Sequence, residues 1–261
     1  MDVESPIKPQ SRWSSLDILE FAAPLLRHED FSTTVSVFPG SYAWAPWGTK
    51  GEFFISFTVY DAGEKLGEIH TEFCTQDGHI TVDFGQFLKH RPSRGDGAIL
   101  AKYHHASDIP VELYFANVHK KTGTYLSYPS LPFMGDKLYP EQHTQQLENT
   151  MFWPGLINDH TMTASVVVVN PYKVSFSYQI SLFKPDGERV QTEPLKLKPF
   201  RSSEHKIEDL FPEVRGVSAA NQGAYSICIA AQYKLVAFHK IVHNQSKAIT
   251  ALDHLHSFCL I

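Results

Sequence analysis

The chain has few cysteines and no excess of basic residues, and each shortage excludes a class of protein. Its 261 residues include only 3 cysteines, Cys74, Cys228 and Cys259. They are widely spaced and form no Cys-x-x-Cys pair, which predicts reduced thiols in a cytoplasmic protein rather than a disulfide framework. The formal net charge of -5 gives no long-range attraction for phosphate backbones. We therefore expect no nucleic-acid partner.

Long apolar runs are also missing from the sequence. No stretch of about 18 apolar residues occurs, so we expect no membrane span. Residues 1–6 are polar and acidic, unlike the basic and apolar regions that open a signal peptide. Both observations favour a cytoplasmic location.

Sequence motifs that are characteristic of common enzyme classes are absent as well. The sequence holds no Gly-x-Ser-x-Gly elbow, no Gly-x-x-x-x-Gly-Lys-Ser/Thr phosphate loop and no Gly-x-Gly-x-x-Gly after a strand. No general acid–base pair can be assigned from the sequence, so the identity of any catalytic residue is left open. Whether the chain is an enzyme stays open, although these absences favour a non-catalytic function.

What the sequence does contain is a faint internal repeat, in which the second half follows the first in order. Gly63 corresponds to Gly187 and His119 to His243, each at an offset of 124 residues. A period of this length is about the size of one domain. The sequence therefore predicts two copies of one fold.

The apolar pattern within each copy is that of β-strands. Phe176, Tyr178, Ile180 and Leu182 alternate with polar residues, which is typical of an antiparallel strand with one face towards a core. About seven such strands per copy predict an all-β fold of two tandem immunoglobulin-like antiparallel β-sandwich domains. A helical apolar pattern before Leu26 adds a short N-terminal helix. The predicted organisation is an N-terminal arm and helix over 1–30, a first β-sandwich over 31–133, an inter-domain segment over 134–158 and a second β-sandwich over 159–261.

Histidine is abundant, with 14 residues, and some of these could hold a metal ion. His254 and His256 would point to the same face of a strand, a spacing that two ligands of one metal can use. Most histidines are nevertheless expected to be structural, and His119 and His243 in particular hold equivalent places in the two copies. We expect no cofactor, with a transition metal such as zinc or iron as the alternative. The candidate ligands are His104, His105, His119, His239, His243, His254 and His256.

Aromatic residues form a second candidate site. Tyr42, Trp44 and Trp47 lie in a loop of the first copy that has no close match in the second, and Trp153 precedes the second copy. Exposed tryptophan and tyrosine concentrate binding energy at interfaces and also stack on sugars. The alternative is that these rings cover the end of a sandwich or join the two domains.

The second copy also resembles a known family. It runs from Phe152-Trp153-Pro154-Gly155 through the Val-rich strand that ends in Asn170-Pro171 to the Asp186-Gly187 turn. The stretch from Leu235 to Ile249 matches a closing hairpin. This pattern is similar to the soluble sensory rhodopsin transducer family, and the resemblance implies small β-sandwich proteins that self-associate and bind partners without catalysis.

These observations together predict a non-catalytic protein-binding or assembly module, for example one subunit of a larger complex. A protein partner or self-association into a homo-oligomer is the expected interaction. A metal-dependent enzyme or metal-binding protein using the histidine cluster is one alternative, and carbohydrate binding through the aromatic residues is another.

Overall fold

Nearly every described segment of the chain is a β-strand, as a computed structural model shows. The structure describes residues 20–39, 52–71, 74–75, 80–91, 96–105, 111–133, 150–217, 225–231, 233 and 235–255. The strands of the first half are β1 (Glu20–Leu25), β2 (Phe31–Pro39), β3 (Glu52–Asp61), β4 (Glu64–His70), β5 (Cys74–Thr75), β6 (Ile80–Asp83), β7 (Gly97–His105), β8 (Val111–His119), β9 (Tyr125–Pro129) and β10 (Leu131–Phe133). Those of the second half are β11 (Thr150–Pro154), β12 (Met162–Val169), β13 (Phe176–Phe183), β14 (Arg189–Gln191), β15 (Leu195–Leu197), β16 (Ser202–Lys206), β17 (Ser226–Ala231), β18 (Val236–His243) and β19 (Ile249–His254). Two single-turn helices, α1 (Gly85–Leu88) and α2 (Ile207–Leu210), occupy equivalent places after β6 and β16, and a 3₁₀ turn spans Pro212–Val214.

The strands form four antiparallel sheets, two from each half. Sheet I has the order β10-β1-β7-β3-β4, with β5 beside β3, and sheet II has the order β6-β2-β8-β9. Sheet III has the order β11-β17-β13-β14, with β15 beside β13, and sheet IV has the order β16-β12-β18-β19. The strand order of the second half therefore follows that of the first, with sheet III corresponding to sheet I and sheet IV to sheet II.

The turn after β13 shows how local sequence sets these strands. The amide of Gly187 donates to the carbonyl of Lys184 at 3.0 Å, and the amide of Glu188 donates to the carboxylate of Asp186 at 2.9 Å. Gly187 has a φ of 88°, a left-handed conformation that glycine adopts without strain. The Lys-Pro-Asp-Gly sequence thus reverses the chain and places β14 beside β13.

The prediction of a short N-terminal helix is wrong for the part of it that the structure describes. Residues 20–25 form β1, which pairs with β7 from Glu20 opposite Lys102 to Leu25 opposite Gly97. The last four residues of β1 are all buried, so both of its faces meet protein. A strand buried on both faces has a continuous apolar run, and such a run cannot be told from a buried helix by its periodicity.

The prediction of two tandem immunoglobulin-like sandwiches is also wrong. In such a sandwich each sheet packs one face on a core and leaves the other to solvent. The run from Val166 to Val169 in β12 is buried at every position, with exposures of 0 to 5 %. The buried side chains of the four sheets instead form one continuous core that includes residues of both halves.

Contacts between the halves explain why β12 is buried on both sides. Strands β1, β9 and β10 of the first half lie against β12, β19 and β18 of sheet IV. The ring of Tyr128 in β9 meets the ring of Phe238 in β18 edge-on, with centroids 5.7 Å apart. At the opposite side, the guanidinium of Arg201 donates to the carboxylate of Asp96 at 3.0 Å. The first half therefore covers the outer face of sheet IV.

The segments predicted to lie outside the two sandwiches contribute strands to the sheets. The N-terminal arm and helix were predicted over 1–30, yet β1 lies within that range and is an inner strand of sheet I. The inter-domain segment was predicted over 134–158, yet β11 lies there and pairs with β17. Among the residues that the structure describes, no helix has the length and apolar character needed to cross a membrane.

Candidate functional site

Two of the predicted metal ligands, His119 and His243, hold equivalent hairpin turns. The Nδ1 atom of His119 accepts the amide of Thr122 at 3.2 Å, and that of His243 accepts the amide of Ser246 at 3.2 Å. Backbone bonds around the two turns also match, since the amides of residues 123 and 247 donate to the carbonyls of His119 and His243. A ring nitrogen engaged in this way stabilises the turn, which supports the structural interpretation of these two histidines.

The predicted residues His239 and Trp153 lie in contact inside the second half. The imidazole stacks on the indole with centroids 4.7 Å apart and an interplanar angle of 15°. Trp153 is only 6 % exposed, because β11 places it among buried residues of sheet III. In this position the indole packs between sheets III and IV rather than presenting a face to a ligand.

The remaining predicted residues do not converge on one point. His254 bonds to the neighbouring carboxylate of Asp253 through Nδ1 at 2.8 Å, and His104 lies on the other half in β7. Within the described ranges no group of three or more histidine, cysteine, aspartate or glutamate side chains is placed to hold a metal ion. His105 ends β7 but its side chain lies outside the described part, as do the whole residues Tyr42, Trp44, Trp47 and His256.

His104 belongs to a cleft of about 460 Å³ whose floor is the outer face of sheet I. Strand pairing sets Glu20, Lys102, Ser56 and His70 in one row across four strands. The Nε2 atom of His104 lies 2.9 Å from the hydroxyl of Ser56. The floor of the cleft is therefore lined with hydroxyl and ionisable groups.

The second half supplies one wall of this cleft. Pro171, Tyr172, Lys173 and Phe200 line it, and the ring of Phe200 stacks on Tyr60 with centroids 4.3 Å apart. The two loops that carry these residues are joined by a buried asparagine. The side-chain amide of Asn170 donates to the carbonyls of Val174, Leu197 and Lys198 at 2.9, 3.2 and 2.9 Å, and its oxygen accepts the amide of Tyr172 at 2.9 Å.

Electrostatic interactions inside the cleft keep His104 neutral and Glu68 charged. Partial burial lowers the pKa of His104, and the nearby positive charge of Lys102 lowers it further. A hydrogen bond from Lys65 lowers the pKa of Glu68, whose carboxylate also lies 3.8 Å from His70. At neutral pH the cleft thus offers a neutral imidazole, a hydroxyl and paired charges of both signs, a set that can hydrogen-bond a polar molecule.

A second concave region of about 440 Å³ lies between α1 and the loop after β1, and two of its basic residues are bonded to backbone carbonyls. The guanidinium of Arg91 donates to the carbonyl of Leu66 and lies 4.1 Å from the centre of the Phe87 ring. The ammonium of Lys120 donates to the carbonyl of His28. These contacts join separate segments of the first half, so we assign this cluster a structural role.

The outer face of sheet II differs from the cleft in having almost no charge. Alternating burial along its strands places Val35 and Phe115 in the core, and the residues between them point outwards. The outward residues whose side chains are described are Ser32, Thr34, Ser36, Thr81, Asp83, Tyr114, Ala116, Val118, Tyr125, Ser127 and Pro129. Only Asp83 among them ionises, and its carboxylate accepts the amide of Gly85 at 2.7 Å.

This face also carries the large apolar side chains that are exposed in the described part of the chain. Tyr114, Val118 and Tyr125 are 38 %, 40 % and 64 % exposed. Our sequence interpretation did not single them out. A signal was present, because Tyr114 and Val118 occupy the positions in β8 that alternation reserves for polar residues.

Comparisons with known proteins give little further information. No known protein family and no curated protein matches the chain. Among solved structures, Bacteroides uniformis β-glucuronidase 2 bound to cyclophellitol-6-carboxylate aziridine is 10 % identical over 92 % of this chain, with a TM-score of 0.19. A second structure of Bacteroides uniformis β-glucuronidase is 11 % identical over 92 % of the chain, also with a TM-score of 0.19. The chain spans 26 % of the length of each of these proteins. Similarities this weak carry no conclusion about fold or function.

Proposed function

We propose that this chain is a non-catalytic protein-binding or assembly module whose contact surface is the outer face of sheet II. The observation that carries the proposal is the composition of that face. It combines exposed tyrosine and valine side chains with serine and threonine hydroxyls, and Asp83 is its only charge among the described side chains.

Such a composition is unusual for a surface that meets only water. Charged residues are depleted and tyrosine is enriched at the centres of protein interfaces. Tyrosine supplies a large contact area at low cost in side-chain entropy, and serine adds adaptable hydrogen bonds. The exposed parts of Tyr114, Val118 and Tyr125 together amount to roughly 300 Å² of residue surface, which is the lower end of the size range of the largest apolar patch on a monomer, a patch that is often functional.

The other predictions stay as they were. Metal binding through histidines and carbohydrate binding through aromatic residues remain alternative functions. The resemblance to the soluble sensory rhodopsin transducer family remains a prediction from the sequence. Sheet II supports the binding module because its exposed apolar residues lie on one face of one sheet.

The experiment is a capture assay with three immobilised forms of the chain in a lysate of its source organism. The forms are the wild type, the double variant Val118→Lys/Tyr125→Lys, and Gln245→Lys, which adds a lysine at an exposed turn of the second half. We expect the wild type and the Gln245→Lys control to retain the same proteins and the double variant to lose them. Equal retention by all three forms would rule out this face, and retention of nothing specific would rule out the module.

A further inference from the structure

Each exposed apolar residue of sheet II has a counterpart in sheet IV that is less exposed. The offset of 124 residues that relates the turns at His119 and His243 also relates Tyr114 to Phe238, Val118 to Val242 and Tyr125 to Ile249. The pairing matches at the hairpin end of the strands, where Val118 lies opposite Tyr125 and Val242 lies opposite Ile249, and a bulge between Ile241 and Val242 shifts the register beyond it. The two outer faces are therefore equivalent surfaces of two equivalent sheets.

Their exposure is very different. Tyr114 is 38 % exposed and Phe238 is 0 %, whereas Tyr125 is 64 % exposed and Ile249 is 6 %. Val242 is partly buried and packs against the core, whereas Val118 is 40 % exposed. The difference arises because β1, β9 and β10 of the first half cover sheet IV. In this fold, then, the outer face of a four-stranded sheet is a surface that packs against protein.

We propose that a second copy of this chain covers the outer face of sheet II, with the two copies meeting face to face about a two-fold axis. This inference rests on the proposed function and names its partner. A two-fold axis brings the same surface of both copies together, so the surface must fit itself. Among the described side chains of this face, only Asp83 at its edge is charged at neutral pH, so the face meets its own copy without like-charge repulsion between the described groups at its centre, unlike the outer face of sheet I with its glutamates and lysines.

The size of the face sets the strength of the contact. Four strands about 4.8 Å apart and five residues long span roughly 15 by 17 Å, which is about 500 Å² of flat area for two copies. The relief of the side chains raises the accessible surface that they bury to at most about 1,000 Å². Interfaces at this lower end of the range are reversible, and we expect a dissociation constant in the micromolar range. The dimer should then form and dissociate within concentrations that are easy to reach.

The test is sedimentation velocity of the full chain from about 1 to 300 μM. We expect the wild type to shift from the 29.5 kDa monomer towards twice that mass as its concentration rises. Val118→Lys and Tyr125→Lys should each weaken dimerisation at least tenfold, because a lysine within the interface must give up its hydration or push the copies apart. Gln245→Lys should dimerise like the wild type. Both test positions are exposed in the monomer, and circular dichroism checks that each variant is folded.

A cross-link then tests the two-fold geometry. Ala116 lies in the middle row of the face, so a two-fold axis near it brings Ala116→Cys of both copies within reach of a short dithiol-reactive linker. We expect a covalent dimer that the wild type, with its native cysteines, and a Gln245→Cys control do not give.

The possible outcomes separate the inference from the function on which it rests. A wild type that stays monomeric up to 300 μM, or a dimer that both lysine variants leave unchanged, overturns the inference. If the capture assay still shows retention of other proteins that depends on Val118 and Tyr125, the binding function stands with a different partner. If neither self-association nor such retention is found, both proposals fall.

Discussion

Replacing Asn170 by alanine should destabilise the protein more than almost any other polar substitution in the described part of the chain. The side chain is fully buried, and its four contacts to main-chain groups join two loops. Alanine would leave three carbonyls and one amide without these partners. Because the amide has only two N–H donors for the three carbonyls, the contacts amount to about three full hydrogen bonds, and a net loss of about 1 kcal/mol for each predicts a total cost of about 3 kcal/mol.

The assay is urea unfolding at pH 7.5, followed by circular dichroism, with the free energy of unfolding extrapolated to water. A loss of this size in a chain of this length should also lower the thermal midpoint by about 10 °C. Gln191→Ala is the matched control, because that amide is exposed and donates to one other side chain, Gln179, at 3.0 Å. We expect the control to change stability by no more than about 0.5 kcal/mol.

A second variant identifies which half of the amide matters. Asn170→Asp keeps an oxygen for the amide of Tyr172 but removes both N–H donors and sets a carboxylate beside three carbonyls. It should destabilise the protein at least as much as alanine does. An Asn170→Ala protein within about 1 kcal/mol of the wild type would refute the assignment of Asn170 as the residue that joins these loops.

Three further predictions follow from named contacts. His119→Ala and His243→Ala should each cost about 1 kcal/mol of unfolding free energy, and a difference above about 1 kcal/mol between them would contradict equivalent turns. Burial lowers the pKa of His205, so as pH falls through the ordinary histidine value of 6.5 the unfolded chain takes up a proton that the folded chain does not. Stability therefore decreases with falling pH, and His205→Gln should show a smaller drop in urea midpoint between pH 7.5 and 5.5 than the wild type; an equal drop would exclude His205 as a source. Gly97→Ala should lower the free energy of unfolding by roughly 2–3 kcal/mol, because its Cβ would lie 2.4 Å from the carbonyl oxygen of Tyr60, and wild-type stability in the same urea assay would show that the strands can separate there.

Local features of this chain could be predicted from its sequence because they depend on neighbouring residues alone. The Asp186-Gly187 turn follows from a glycine with positive φ, and the alternation in β13 follows from one buried face. The offset between His119 and His243 also has a local cause, since each ring accepts the amide three residues later in its own turn.

What failed depends on contacts between distant parts of the chain. The apolar stretch of β1 was assigned to a helix because burial on both faces removes the period of a strand. The tandem sandwiches were wrong for the same reason in β12, whose continuous valines indicate a second covered face. A reader of one sequence can see such a run but not which surface covers it.

At the candidate contact surface the sequence pattern is plain, but its cause can be identified only with the fold. Tyr114 and Val118 break the alternation of β8 just as Phe238 and Val242 do in β18. In β18 the exception has a cause, because the first half lies over that side of the strand. We expect a similar cause for the same exception in β8. On this face nothing among the described residues covers Tyr125, which is 64 % exposed. A covering surface from outside the chain is what would make the two halves consistent.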